Sequence, residues 1–153
     1  MDVFCVESMY GLLEKIMSLN IANTRPGPSA GRSGASSLGG AGLRAFANIA
    51  EAWGLSVAEQ LTLLGIGSRS TFFKWRRERE PKLPGDTLER LSYLLGIYKS
   101  LQILLPDPKA ADAWVRKPNR APLFGGRSAL ERMLSGQVAD LYVVRQYLDA
   151  ERG

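Results

Sequence analysis

This 153-residue chain predicts an all-α fold, and three observations carry that expectation. Apolar residues recur at helical spacing from Leu43 to Leu148. Several of those runs open with serine or aspartate three positions before glutamate, the pattern that caps a helix start. No segment alternates apolar and polar residues with β-branched enrichment, apart from the short "LYVV", which continues a helical seam. The apolar fraction of 45% and charged fraction of 23% suit an ordinary globular protein, with room for one domain or for two small lobes that share a core.

Taken in order, Val3, Val6, Met9, Tyr10, Leu13, Ile16 and Met17 recur at helical spacing. Residues 1–20 therefore read as an amphipathic helix, either a dimer contact or an unstructured extension. Asp2 and Glu7 stand where a secretory signal is basic, and no stretch approaches the roughly 20 consecutive apolar residues of a membrane span, so a cytoplasmic location is expected. Residues 21–42 are rich in Gly, Ser, Ala and Pro and nearly free of large apolar groups. Such a segment buries too little surface to offset its ordering entropy and reads as a flexible linker.

"LRAFANIAEAWG" then puts Leu43, Phe46, Ala50 and Trp53 on one face and stops at Gly54. Ser56 and Glu59 form a capping box, Gly65 closes that helix, and Ser68 opens another. Asp86 and Glu89 suggest a second box at the head of "TLERLSYLLGIYKSLQILL", whose Leu88, Leu91, Leu95 and Tyr98 form a seam widened by Leu94, Leu101 and Leu104. This long helix is expected to serve the cores of both lobes, with a dimer face as its second use. Beyond it, Asp107 caps a helix with Pro108 in its first turn, Ser128 and Glu131 make a third box, and Gly136 precedes the last helix. There Val138, Leu141, Val144 and Leu148 face inward, with Arg145, Tyr147 and "DAERG" projecting. The division is 43–104 for a first lobe with the long joining helix and 105–153 for a second.

Composition excludes more than it suggests. The chain has no histidine, which removes the commonest general base and the commonest metal ligand, and Cys5 is the single cysteine, so no internal disulfide or thiolate zinc site forms. Asp107 with Asp112 and Glu131 with Asp140 supply carboxylates, but nothing in the pattern fixes either pair for acid–base work, and no phosphate-cradling glycine loop follows a strand. The chain is therefore read as a binding protein and not an enzyme, with no cofactor and no metal. Its net charge of +5 is concentrated: Arg69, Lys74, Arg76, Arg77, Arg79 and Lys82 face only Glu78 and Glu80 within residues 69–82. Such density on one helix and its exit is either a solvated face or the footprint of a phosphate-binding surface.

The stretch "SVAEQLTLLGIGSRSTFFKWRRERE" has a capped helix, a glycine turn and a second helix. Arg69, Ser70 and Thr71 are expected to be exposed in its first turn, with Phe72, Phe73 and Trp75 as candidate core. "LLGI" leading into "SRST", an apolar residue and a tryptophan resembles the Cro/Xre type of helix-turn-helix over some 40 residues, and Gly67 looks like one residue more than its usual turn. The resemblance implies DNA contact by Arg69, Ser70, Thr71 and Lys74, with Arg76 and Arg77 on the backbone, and a dimer for operator affinity.

The second lobe holds "WVRKPNRAPLFGG", in which a tryptophan is followed by Pro-Asn, a phenylalanine and a Gly-Gly pair, then a short helix ending in glycine and a last helix with an apolar seam. Trp114, Pro118, Asn119, Phe124, Gly125, Gly126, Leu130, Met133, Gly136, Val138 and Leu148 carry a resemblance to the toxin-binding domain of the Xre/MbcA/ParS antitoxins, with Ala129 where that family usually has proline. With the upstream lobe, the resemblance spans about residues 43–153. It implies a partner toxin of the RES type that consumes NAD by hydrolysis or ADP-ribosyl transfer, an antitoxin seated over the NAD site, and repression of the pair's own operon. Candidate toxin-binding residues are Asn119, Arg120, Phe124, Gly125, Gly126 and Arg127 in the loop, and Arg145, Tyr147, Leu148, Glu151, Arg152 and Gly153 in the last helix. Prolines 118 and 122 stiffen the loop and so lower its docking entropy. Trp114 and Phe124 either anchor the partner or pack inside the lobe. The alternative is a helix-turn-helix regulator without a toxin.

Overall fold

The computed structural model describes residues 32–153. Among the described residues there are seven helices and no strand: α1 Arg32–Ala52, α2 Val57–Leu64, α3 Arg69–Arg77, α4 Gly85–Leu104, α5 Pro108–Trp114, α6 Ala129–Met133 and α7 Val138–Arg152. The helix expected in residues 1–20 and the first part of the linker lie outside the described residues.

The remainder of the linker is corrected. Residues 32–42 are not a flexible connector but the first half of α1. Composition misleads here because glycines also serve close packing. Gly39 and Gly40 are buried, and a side chain at Gly40 would run into the Arg79 carbonyl while one at Gly39 would press on Leu83. The small residues let α1 lie against the chain that leaves α3.

Local chemistry fixes most helix ends. The Ser56–Glu59 box is closed in both directions, the Ser56 N–H donating to Glu59 Oε2 at 2.7 Å and the Glu59 N–H to Ser56 Oγ at 3.2 Å. The Ser128–Glu131 box repeats it, and the Asp107 carboxylate accepts the Lys109 N–H at 3.2 Å. The box expected from Asp86 and Glu89 is absent. α4 starts after Pro84 with no side-chain cap, Asp86 instead takes Arg90 Nε at 2.9 Å, and Glu89 accepts the Tyr93 hydroxyl. Proline already breaks the chain and presets the first turn, so the two carboxylates are free to pair one helical turn onward.

α4 is the axis of the molecule, with α7, α1, α5 and α2 packed around it. One continuous apolar core results, running from Leu43, Phe46, Trp53 and Phe72 through Leu91, Leu94, Leu95 and Ile97 to Phe124, Leu130, Leu141 and Leu148. Gly96 lies buried in the middle of α4 where Arg145 of α7 crosses, and any Cβ would collide with that guanidinium. A helix-interior glycine costs about 1 kcal/mol relative to alanine, so its place marks a contact that outweighs propensity. Arg145 Nε then reaches Asp149 at 2.8 Å, and Asp149 also accepts Ser100 of α4 at 3.2 Å.

Candidate functional site

Two surfaces emerge, one on the helix-turn-helix of the first lobe and one on the second lobe. At the C-terminal end of α2, Gly65 takes φ 67° and its N–H returns to Leu61 and Thr62, ending the helix in a left-handed cap. Without that glycine the turn would be strained and would also strike Arg90 and Asp86 below it. Ser68 caps α3 through the Thr71 N–H and shares a hydrogen bond with Ser70 at 2.8 Å.

α3 then divides cleanly. Phe72 is buried and Trp75 half-buried against the core, whereas Arg69, Ser70, Lys74, Arg76 and Arg77 are exposed. Two of the sequence readings change. Thr71 is half-buried and lines a groove with Trp75, Pro84 and Thr87, so it stands off the exposed stripe. Phe73, taken for core, is 37% exposed and lies edge-on to Phe72 with ring centroids 5.4 Å apart. Arg76 folds over the Phe72 ring, its guanidinium 5.6 Å from the centroid, and Lys74 is 3.8 Å from Glu78.

The other surface is the loop between α5 and α6 together with the end of α7. The loop is built from backbone hydrogen bonds. Asn119 N–H donates to the Arg127 carbonyl and Gly126 N–H to the Asn119 carbonyl, both at 3.0 Å, forming an isolated bridge beside Pro118 and Ser128. Asn119 Oδ1 accepts the Ala121 N–H at 2.9 Å, and Gly125 and Gly126 both adopt positive φ, 56° and 85°. Two consecutive left-handed residues explain why the pair is Gly-Gly. Arg132 donates to the Leu123 carbonyl and pairs with Asp140 at 3.0 Å.

Phe124 is the plug of this loop and is 1% exposed. It meets Trp114 and Tyr147 edge-on, at 5.9 and 5.2 Å between centroids, while Trp114 and Tyr147 stack at 6.5 Å. The three rings weld the loop to the last helix. Phe124 is thus corrected from a partner contact to a core residue: the positive-φ glycines that follow it turn the backbone outward and leave its ring beneath. Leu148, 2% exposed, is likewise core. Arg145 does not project either, being held over Gly96 by Asp149. What remains at the surface is Arg120, Gly125, Gly126, Arg127, Glu151, Arg152 and Gly153, with Asn119 and Tyr147 half-buried among them.

Arg116, just before this loop, has a structural task. Its guanidinium donates to the Trp53 and Gly54 carbonyls, both at 2.8 Å, and sits 3.4 Å from Glu59. It ties the second lobe to the corner between α1 and α2. The Ser56 N–H above all, and then the Arg116 charge, hold the Glu59 carboxyl below its ordinary range against the opposing effect of burial. No sequence signal pointed to this tie, because its partners are backbone carbonyls more than 60 residues away.

The carboxylates weighed as acid–base pairs are occupied structurally: Asp107 and Glu131 as caps, Asp140 by Arg132 and Ser135, and Asp112 by Gln102 at 3.0 Å. Burial raises the Asp112 pKa, with the Gln102 hydrogen bond opposing it. Among the described residues no cluster of three or more potential metal ligands occurs, and no helix is long and apolar enough to cross a membrane.

Comparison with known proteins matches both halves. Residues 35–96 match the antitoxin Xre-like helix-turn-helix domain, and residues 100–153 match the antitoxin Xre/MbcA/ParS C-terminal toxin-binding domain. A relative described as uncharacterized protein y4oB, from Sinorhizobium fredii (strain NBRC 101917 / NGR234), is 53% identical over 111 residues, covering 72% of this chain and 84% of the relative.

Proposed function

Since the chain belongs to the antitoxins that join an Xre-like helix-turn-helix domain to an Xre/MbcA/ParS toxin-binding domain, we propose that it neutralises a RES-type, NAD-consuming toxin by covering the NAD site. The observation that carries this is the single surface made by the Gly-Gly loop and the end of α7. Phe124 packs on Tyr147, so Arg120, Gly125, Gly126 and Arg127 are fixed relative to Glu151, Arg152 and Gly153. A pre-shaped surface loses little entropy on docking, which is what blocking a cleft requires. Its work is steric and polar, the protein itself catalysing nothing, and its setting is the cytoplasm.

In the same reading, residues 43–104 face DNA and residues 105–153 face the toxin, the pair repressing its own operon. Arg69, Ser70, Lys74 and Arg77 lie on one exposed side of α3, and a homodimer supplies two such helices for one operator.

Co-expression with the product of the adjoining reading frame tests this. Growth and cellular NAD should both collapse with the neighbour alone and recover with the full chain. Removing residues 150–153 should keep the two proteins together and abolish the recovery. The cut falls after Asp149 because that carboxylate anchors Arg145 and Ser100. Recovery undiminished by the deletion, with the complex intact, excludes blockage by the tail. A chain that restores neither growth nor NAD, yet represses a promoter, is a regulator without a toxin.

A further inference from the structure

We propose that Phe73 is a specificity-determining residue that reads thymine methyl groups in the major groove; this rests on the DNA-binding reading of α3. Among the described residues, the large apolar side chains that are exposed are Phe73, Ile103 and Tyr142. Phe73 alone of these lies on the basic helix. At helical spacing it falls between Arg69 and Arg77 on one side and beside Ser70 and Lys74, near the centre of the exposed face.

The ring also has a support. It leans edge-on against Phe72, which is 1% exposed and fixed in the core. An aromatic edge among cations has two occupants to weigh. A second copy of this helix would bring Arg69, Lys74 and Arg77 against their own like charges, with the acidic Glu78 and Glu80 only beyond its C-terminal end. A DNA groove neutralises all of those cations and offers one apolar group on the base edges, the thymine C5 methyl. The charges therefore favour DNA over self-association at this face. Arg69 and Ser70 supply hydrogen bonds to base edges or phosphates, and Phe73 adds discrimination that a purely polar helix lacks.

The test selects binding sites for the full chain from random duplexes, then replaces each thymine of the selected site by deoxyuridine, which lacks only the methyl. The wild-type protein should lose roughly fourfold in affinity at one or two positions, the worth of one buried methyl each. Phe73→Ala should bind the thymine and deoxyuridine sites alike at those positions, and Phe73→Leu should restore part of the preference. Circular dichroism of both variants should match wild type, and denaturant unfolding should show only a modest loss for Phe73→Ala, from its contact with Phe72. A selected site with no deoxyuridine effect, or an effect of equal size in Phe73→Ala, overturns the proposal and leaves DNA binding standing. Failure to enrich any site overturns DNA binding and this proposal together.

Discussion

Single residues decide which surfaces are available. Phe124 is a plug and Arg116 a tie between the lobes, so their variants should fail differently from those of Arg120 and Arg127. Phe124→Ala should cost about 3–5 kcal/mol in denaturant unfolding, the usual range for an aromatic removed from a core, and its toxin binding should fall through loss of loop structure. Arg120→Glu with Arg127→Glu should leave unfolding unchanged within about 0.5 kcal/mol while slowing association with the toxin. Arg116→Gln should destabilise by about 1–2 kcal/mol, since charged donors are lost from two carbonyls yet the site is partly open to water. Glu59 adds a pH signature. Its folded-state pKa is lowered, so the stabilisation is complete above the unfolded value and is lost as pH falls through the folded one. Glu59→Gln should accordingly flatten the acid limb of the stability curve, and an unchanged limb would show that the interaction contributes nothing. Asp112, raised by burial, acts with the opposite sign: acidification through its folded value restores stability that its charge removes.

At the scale of elements, the chain was most legible where the governing interactions are local. Ser56 with Glu59, Ser128 with Glu131, Gly65 and Asp107–Pro108 each settle a helix end within four residues of themselves, and the structure bears each out. Asp86 and Glu89 show the limit of that logic, since the same spelling served side-chain pairs once Pro84 had set the start of α4. Composition failed at α1 for a tertiary reason: Gly39 and Gly40 look like linker until the chain at Arg79 to Leu83 is laid across them. Gly40→Ala separates the two views sharply. Helix propensity alone predicts a gain of about 1 kcal/mol, whereas the collision with the Arg79 carbonyl predicts a loss of about 1–3 kcal/mol. Urea unfolding that shows stabilisation would mean that α1 does not pack there. The placement of Phe124 and Arg145 was equally unreadable, because each is set by a neighbour on another helix.

For the whole molecule, the central fact is one core running along α4 from the helix-turn-helix to the toxin-binding surface, reinforced by Arg116 across the lobes. A shared core of this kind predicts one cooperative unfolding transition for residues 32–153, seen by fluorescence and circular dichroism at the same midpoint; two separated midpoints would mean that the lobes are independent. It also means that the Gly-Gly loop and the end of α7, the surface proposed to face the toxin, are pre-formed, and that is the claim on which the proposed function turns. The most direct measurement is the affinity of a fluorescent NAD analogue for the purified toxin, alone and in complex with the full chain. The analogue should bind the free toxin saturably and the complex not at all; equal affinity for both would place this protein away from the catalytic cleft.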